Sequence, residues 1–279
     1  MSMKDVLEEI VANKRVELAI AQNEMSLDYL KELTEKKIAQ DGSLKLRSMK
    51  QSLAGSASGI IAEFKRKSPS KGWIHADAEV TDVVPKYAEG GASAVSILTD
   101  KKYFGGDIEF IRQVRDKVPH LPILRKEFII DPYQLYEARL VGADAVLLIA
   151  ADLYPQQYAD LLATAHSLGL EVLLEVHDPA ELSYLEAAIP DMLGVNNRSL
   201  GTFHTDVQHS FDIAKEMQQA VAHLAESERP LLVSESGISN PAIVSELRKA
   251  GFRGFLIGEC FMKEPNPGQA LAKFVNECI

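Results

Sequence analysis

Hydrophobic residues fall into short, nearly unbroken runs over most of the chain, and stretches with apolar positions at helical spacing separate them. The runs predict strands at residues 60–63, 94–98, 123–126, 145–149, 172–175, 192–196, 231–235 and 254–258. The intervening stretches predict helices at residues 80–88, 108–117, 132–141, 155–168, 179–188, 207–224, 241–250 and 267–277. Apolar strands that alternate with helices are typical of parallel sheets covered by helices. Eight such units predict a (β/α)8 TIM barrel.

The pattern before residue 59 is different. Apolar residues at helical spacing predict an amphipathic helix over residues 4–23, and a second helix is predicted from Ser26 or Asp28. A polar, serine-rich connector follows over residues 41–59. We therefore predict a single domain spanning residues 1–279, in which about 1–58 forms an N-terminal helical extension to the barrel.

An open doubly wound sheet is the alternative architecture. Such sheets usually have fewer strands, and their dinucleotide-binding members carry a G-x-G-x-x-G motif between a strand and a helix. That motif is absent from the sequence. The barrel is therefore the preferred interpretation.

Polar residues follow the predicted strands at their C-terminal ends, where barrel enzymes carry their chemistry. In chain order these are Glu63 and Lys65, Lys126, Glu175, Asn196 and Arg198, and Glu235 and Ser236. Side chains alternate along a strand, so Leu124 and Lys126 share one side, as do Leu173 and Glu175. Each polar residue continues a row of apolar residues that faces the barrel interior. A recurring pattern of this kind indicates an enzyme.

Lys126 and Glu175 are the candidate acid and base. Partial burial, together with a nearby cation such as Lys65, predicts a lowered pKa for Lys126, which could then act as a general acid or a Schiff-base nucleophile. Glu175 on the opposite wall could act as a general base. The structural alternatives are a strand-end lysine that reaches to solvent and a glutamate that serves as a counter-ion.

Glycine turns after the last two predicted strands indicate a phosphate site. Gly237 and Gly258 each precede a predicted helical segment, and glycines let backbone N–H groups approach a phosphate. The loops after strands seven and eight are the recurrent phosphate site of this fold. The predicted ligand is a small phosphorylated molecule, with ordinary turn glycines as the alternative.

Composition excludes several other classes of function. The formal net charge of −10 argues against a nucleic-acid or anionic-membrane surface. Two cysteines fit a reducing compartment, and no signal peptide or membrane span is recognisable, so we expect a cytoplasmic protein. The seven histidines show no metal-binding spacing, and we predict neither a metal nor a cofactor. His177 and Asp178 closely follow Glu175 and could line the rim of the site, but surface or capping roles are favoured for them. Trp73 and Phe128 could stack on an aromatic substrate or simply pack.

Five motifs together resemble the indole-3-glycerol phosphate synthase family over nearly the whole chain. They are IAEFKRKSPS at residues 61–70, LRKEFI at 124–129, LEVH at 174–177, GVNNR at 194–198 and SESGI at 234–238. The resemblance implies ring closure of 1-(2-carboxyphenylamino)-1-deoxyribulose 5-phosphate to indole-3-glycerol phosphate, with loss of carbon dioxide and water. This is a carboxy-lyase reaction of tryptophan biosynthesis.

The resemblance also implies roles for individual residues. Lys126 would be the general acid and Glu175 the general base, while Lys65 would hold the substrate carboxylate with Glu63 orienting it. Substrate binding would involve Ser68, Phe128, Asn196, Arg198, Glu235 and Ser236. The phosphate would be bound by Gly237, Ile257 and Gly258.

Glu259 departs from the family pattern, in which small residues are common at this position. A carboxylate would repel a phosphate, so we expect Glu259 to point away from it. Residues 68–76 form a candidate lid over the site. The sequence does not reveal the oligomeric state: a monomer is one possibility, and association with other tryptophan-pathway enzymes is left open.

Three rival functions are retained. A Schiff-base aldolase-type lyase would also use a strand lysine, and a non-catalytic sensor would bind a phosphorylated ligand without turnover. Phosphoribosylanthranilate isomerase would need a cysteine base and an aspartate acid, which have no obvious counterparts because neither cysteine ends an early strand.

Overall fold

Eight parallel strands close into a barrel, which confirms the predicted (β/α)8 architecture. The computed structural model describes residues 3–40, 46–199 and 204–278. The strands are β1 (Ile60–Phe64), β2 (Lys67–Ser68), β3 (Gly72–Trp73), β4 (Ala94–Leu98), β5 (Ile123–Lys126), β6 (Ala145–Ile149), β7 (Glu171–Val176), β8 (Met192–Asn196), β9 (Leu231–Glu235) and β10 (Gly254–Ile257). The barrel runs in chain order from β4 to β10, and β1 closes it by pairing with both β4 and β10. β2 and β3 form a separate antiparallel hairpin.

Most of the predicted helices are present, and the differences are local. The helices are α1 (Met3–Glu24), α2 (Leu27–Gln40), α3 (Met49–Gly55), α4 (Val80–Glu89), α5 (Lys101–Phe104), α6 (Glu109–Arg115), α7 (Pro132–Val141), α8 (Pro155–Ser167), α9 (Gln208–Ala220), α10 (Pro241–Lys249), α11 (Glu259–Met262) and α12 (Pro267–Cys278). The helix predicted at 179–188 is a 3-10 helix, Pro179–Glu186, and further 3-10 turns lie at Ala150–Asp152 and Glu226–Glu228.

The connector predicted over residues 41–59 was wrong in part, because it contains α3. Ser48 caps this helix by accepting a hydrogen bond from the N–H of Gln51 at 3.0 Å. Met49 and Leu53 are fully buried and pack against the lower interior of the barrel, where the strands begin. The Ser48 hydroxyl also donates to Glu171 at the start of β7, at 2.5 Å. Residues 41–45 of the predicted connector lie outside the described residues.

The interior rows predicted from alternation are confirmed. Leu124, Leu173 and Val233 belong to the cluster that fills the barrel, and the polar residue two positions further along each strand lies above them at the upper face. The upper face is the end of the barrel formed by the C-terminal ends of the strands. The described helices include none that is both long and apolar enough to cross a membrane.

Helix α1 lies across the upper face and covers part of it. Ile10 belongs to the interior cluster, with Val6 and Leu7 packed beside it. Further along α1, the ammonium of Lys14 lies 3.2 Å from Asp100 and 3.1 Å from Glu127. All three side chains are buried, so α1 is held to the barrel by both apolar and ionic contacts.

Candidate active site

One cavity of about 540 Å³ opens at the upper face of the barrel. All thirteen residues that the sequence singled out line it. They are Glu63, Lys65, Ser68, Lys126, Phe128, Glu175, Asn196, Arg198, Glu235, Ser236, Gly237, Ile257 and Gly258. The structure therefore brings together segments that lie far apart in the chain, as a single binding site requires. Their individual roles remain predictions.

Lys126 lies at the centre of the polar part of the cavity. Its ammonium donates to Glu175 at 2.9 Å and to Glu235 at 3.2 Å. Burial lowers the pKa of Lys126, but the negative charges of Glu175, Glu235 and Glu63 outweigh burial and raise that pKa above its ordinary value. The expectation of a lowered pKa was therefore wrong. It considered Lys65 as the neighbour and overlooked three carboxylates that other strands bring close.

Glu175 and Glu235 share this one lysine, and their pKa values move in opposite directions. Burial alone would raise the pKa of Glu175, but the charges of Lys126 and His177 override burial and hold it at about 2. Burial, reinforced by the negative charge of Glu175, raises the pKa of Glu235 to about 8 despite Lys126. The site therefore favours ionisation of Glu175 and disfavours ionisation of Glu235.

Glu235 occupies space that is open because residue 194 is a glycine. A Cβ atom added to Gly194 would lie 2.2 Å from Oε1 of Glu235. Gly194 is therefore the position on β8 that admits the Glu235 carboxylate to the cavity. The GVNNR motif contains this glycine, but its function is evident only from the position of Glu235 on the neighbouring strand β9.

A second carboxylate is accommodated in the same way. Oε2 of Glu63 lies 2.5 Å from the Lys65 ammonium, and a Cβ atom on Gly258 would lie 2.3 Å from that oxygen. Glu63 and Lys65 thus point to the same side of the first strand, as predicted. The structure adds a reason for Gly258 that does not involve phosphate, because any side chain there would displace Glu63.

The turn after β9 has an unusual backbone. Ser236 has a φ of 70° and Gly237 a φ of 77°, so a non-glycine residue adopts the left-handed conformation at the cavity wall. The buried amide of Asn197 donates to the carbonyl of Ser236 at 3.0 Å and to the hydroxyl of Ser234 at 3.1 Å. Asn197 therefore ties the turn after β8 to the turn after β9. Sequence reasoning assigned Asn197 no function, and only its place in the GVNNR motif could have drawn attention to it.

The hairpin formed by β2 and β3 covers one side of the cavity and includes most of the predicted lid. Ser70 accepts a hydrogen bond from Arg198 at 3.0 Å, and the Lys71 ammonium lies 2.5 Å from Glu259. Glu259 is among the residues that line the cavity, and the direction of its carboxylate relative to a bound phosphate stays a prediction. Burial raises the pKa of Glu259, but Lys71, Lys65 and Arg198 outweigh burial and lower it. Its carboxylate is therefore held as an ion pair beside the predicted phosphate site.

The apolar wall of the cavity comes partly from residues that the sequence did not single out as site residues. Val6, Leu7 and Ile10 from α1 line it, together with Phe104. The rings of Phe104 and Phe128 lie with their centroids 5.8 Å apart. Trp73 is instead 56% exposed and does not belong to the described cavity lining, so its side chain contributes nothing to this wall. The periodicity of α1 predicted its apolar face but not what that face covers.

Among residues 3–40, 46–199 and 204–278 no group of three or more histidine, cysteine, aspartate or glutamate side chains is arranged to hold a metal ion. The cavity lining includes the ammonium groups of Lys65 and Lys126, the carboxylates of Glu63, Glu175 and Glu235, and an apolar wall. Such a site can bind an anion with an aromatic part, donate a proton from a lysine and accept a proton at a carboxylate.

Comparisons with known proteins point to one family. The family model described as indole-3-glycerol phosphate synthase matches residues 7–274. The chain is 54% identical over 273 residues to indole-3-glycerol phosphate synthase from Bacteroides thetaiotaomicron, covering 98% of each chain. It is 41% identical over 277 residues to the Delftia acidovorans enzyme of the same name, covering 97% of this chain and 99% of that one.

A solved structure of 3-hexulose-6-phosphate synthase superposes with a TM-score of 0.60 over 79% of this chain and 100% of that chain. The two sequences are only 12% identical, so this likeness shows the fold alone.

Proposed function

Because the chain belongs to the indole-3-glycerol phosphate synthase family, the decarboxylating lyases of tryptophan biosynthesis, we propose that its upper-face cavity closes the ring of 1-(2-carboxyphenylamino)-1-deoxyribulose 5-phosphate with Lys126 as acid and Glu175 as base. One observation carries this assignment. The Lys126 ammonium lies 2.9 Å from Glu175 inside a cavity that also holds the Lys65–Glu63 pair. A proton donor, a proton acceptor and a second cation thus surround one binding volume.

In the first step, the aromatic carbon that bears the carboxylate attacks the ketone carbon. A carbon–carbon bond forms, and the ketone oxygen takes a proton from Lys126 to become a hydroxyl. The attack breaks aromaticity, and loss of carbon dioxide from the same carbon restores it. The Lys65 ammonium is assigned to hold the departing carboxylate, and Glu63, at 2.5 Å, is assigned to orient Lys65.

In the second step, water leaves. Glu175 takes a proton from the methylene carbon beside the nitrogen, the new carbon–carbon double bond forms, and the hydroxyl departs with a proton from Lys65. Over both steps Lys126 and Lys65 each donate one proton and Glu175 accepts one, so the site returns to its starting state by taking up one proton from solvent, and no electrons are gained or lost. Glu175 is suited to accept this proton because the charges of Lys126 and His177 lower its pKa in the unliganded site.

The remaining residues are assigned to binding. Backbone N–H groups around Gly237, Ile257 and Gly258 would bind the phosphate, in the position that barrel enzymes of this fold commonly use. Phe128 would contact the aromatic ring, and Ser68, Asn196, Arg198, Glu235 and Ser236 would position the rest of the substrate. We further propose that the chain acts as one cytoplasmic domain with residues 1–58 as its extension, and as a monomer without nucleic-acid or membrane partners.

Incubation with the carboxyphenylamino-deoxyribulose phosphate should produce indole fluorescence, and Glu175→Gln should lower kcat by about 10²- to 10⁴-fold, as removal of a general base does. Glutamine keeps the shape and the contact with Asn196 but cannot accept the proton. Folded wild-type protein that generates no indole fluorescence from authentic substrate would refute the function. Borohydride trapping of an adduct at Lys126 would instead support the aldolase-type rival.

Gly194→Ala should reduce kcat/KM by about 10²-fold, because the new Cβ atom would displace the Glu235 carboxylate by an ångström or more. Gly55→Ala is the matched control, since a Cβ atom there would meet nothing within 4 Å. Steady-state kinetics on both variants tests the role of this space. Equal values of kcat/KM for the two variants would show that Glu235 tolerates displacement.

A further inference from the structure

His177 is a buried part of the cavity wall, so the position lining the site, which the sequence left open, is the one that the structure shows, and not the favoured surface or capping role. It directly follows β7, its side chain is only 6% exposed, and it lines the cavity that contains Lys126 and Glu175. The neighbouring Asp178 does act as a cap, since it accepts a hydrogen bond from the N–H of Ala180 at 2.8 Å. The roles expected for these two adjacent residues therefore have to be separated.

The imidazole of His177 lies between two carboxylates. Nε2 is 3.4 Å from Oε1 of Glu175, and Nδ1 is 3.8 Å from Oε2 of Glu181. The backbone fixes this position from two sides. The N–H of His177 donates to Glu181 at 2.6 Å, and its carbonyl is 2.7 Å from Nε2 of His209 on α9.

The contacts of Glu175 are divided between its two oxygens. Oε2 accepts from Lys126 at 2.9 Å, whereas Oε1 accepts from Asn196 at 3.1 Å and faces His177. If Lys126 turns to the ketone oxygen of a substrate, Oε2 loses its cation. Oε1 then still faces Nε2 of His177 at 3.4 Å.

In the part of the chain that the structure describes, four acids lie around His177. Glu175 is on β7, Glu181 on the following 3-10 helix, Asp152 on the turn after β6 and Glu235 on β9. Lys126 lines the same cavity, and the ring of His209 contacts the backbone carbonyl of His177. Burial lowers the pKa of His177, but Glu181, Glu175 and Glu235 outweigh burial and raise it. This environment favours the imidazolium over the neutral ring.

We propose that His177 is a positioning residue that keeps Glu175 ionised during the interval in which Lys126 serves the substrate. The inference rests on the proposed function. A carboxylate as deeply buried as Glu175 would take up a proton if its only cation left, and a protonated Glu175 cannot remove the methylene proton. His177 keeps its own proton throughout, so it adds no chemical step.

The test is the pH dependence of kcat for His177→Gln between about pH 5.5 and 9. Glutamine retains a donor but carries no charge. We expect kcat to fall about 10-fold or more near pH 6, KM to change by less than about 3-fold, and the acid limb of the kcat profile to move up by about one pH unit. The deficit should shrink as pH rises, because Glu175 then ionises without help and wild-type His177 loses its own charge.

Two further variants keep the test decisive. His223→Gln, at an exposed histidine, should leave the profile unchanged. Glu181→Gln should shift the acid limb in the same direction by a smaller amount, and it replaces His177→Gln if that variant does not fold. An unshifted acid limb, including a uniform loss of kcat at every pH, would overturn the proposal for His177. Inactive wild-type enzyme would overturn the proposed function instead.

Discussion

Lys126→Ala is expected to lower kcat by about 10³-fold or more while substrate still binds. A general acid contributes about 10²- to 10⁴-fold to the rate. Here the same ammonium also contacts the carboxylates of Glu175 and Glu235. The phosphate, carboxylate and ring contacts proposed for the substrate do not involve Lys126. Single-turnover kinetics, with substrate binding measured separately, should therefore show a loss confined to the chemical step. A variant that retained a tenth of wild-type kcat would exclude Lys126 as the acid.

The same substitution should also destabilise the fold, and a second variant separates the two effects. Without Lys126, the buried Glu175 and Glu235 face each other with no shared cation, and breaking a buried pair costs about 3–5 kcal/mol. Lys126→Ala combined with Glu235→Gln removes one of the two acids. We expect the double variant to recover much of the thermal stability and none of the activity. Recovery of activity would mean that the single variant is merely misfolded.

The destabilisation of Lys126→Ala should grow as pH rises. Removing the ammonium raises the pKa of Glu175 in the folded state above its wild-type value of about 2. The folded variant then binds a proton that the folded wild type does not, so the stability of the variant relative to wild type is lost as pH rises from about 2 through the raised pKa. Thermal denaturation of both proteins at several pH values measures this difference.

Local periodicity predicted most of the architecture, because the apolar pattern of each barrel strand and its helix is contained within about 25 residues. The exceptions are short elements whose stability comes from distant contacts. Helix α3 has only two buried apolar residues, Met49 and Leu53, and is held by Glu171 in β7. The 3-10 helix Pro179–Glu186 buries only Leu185, so nothing in its own sequence separates it from an α-helix.

The candidate site was predictable as a set of residues but not as an electrostatic arrangement. Alternation on each strand indicates that Lys126, Glu175 and Glu235 point inward. It does not indicate which strands lie opposite one another or how far apart their side chains are. The direction of the pKa shift of Lys126 depends on those distances. The same limit applies to His177, whose two carboxylate neighbours lie on either side of it in space.

Lys14 is a further residue whose importance depends entirely on distant contacts, and Lys14→Met is expected to destabilise the protein by about 3–5 kcal/mol. Its side chain is only 7% exposed and lies against Asp100 and Glu127, whose side chains are 0% and 3% exposed. Burial lowers the pKa of Lys14, but Glu127, Glu17 and Asp100 outweigh burial and raise it. Methionine fills the space and leaves both acids without this cation.

The expected loss is measured as a lower denaturation midpoint in urea, with Lys36→Met as the matched control. Lys36 forms an ion pair with Glu32 at 2.5 Å, but both side chains are more than half exposed, so its removal should leave the midpoint nearly unchanged. Adding Asp100→Asn to Lys14→Met should restore part of the loss, because asparagine still caps α5 and carries no charge. Equal midpoints for Lys14→Met and Lys36→Met would contradict the prediction. They would show that α1 is held over the cavity by its apolar residues alone.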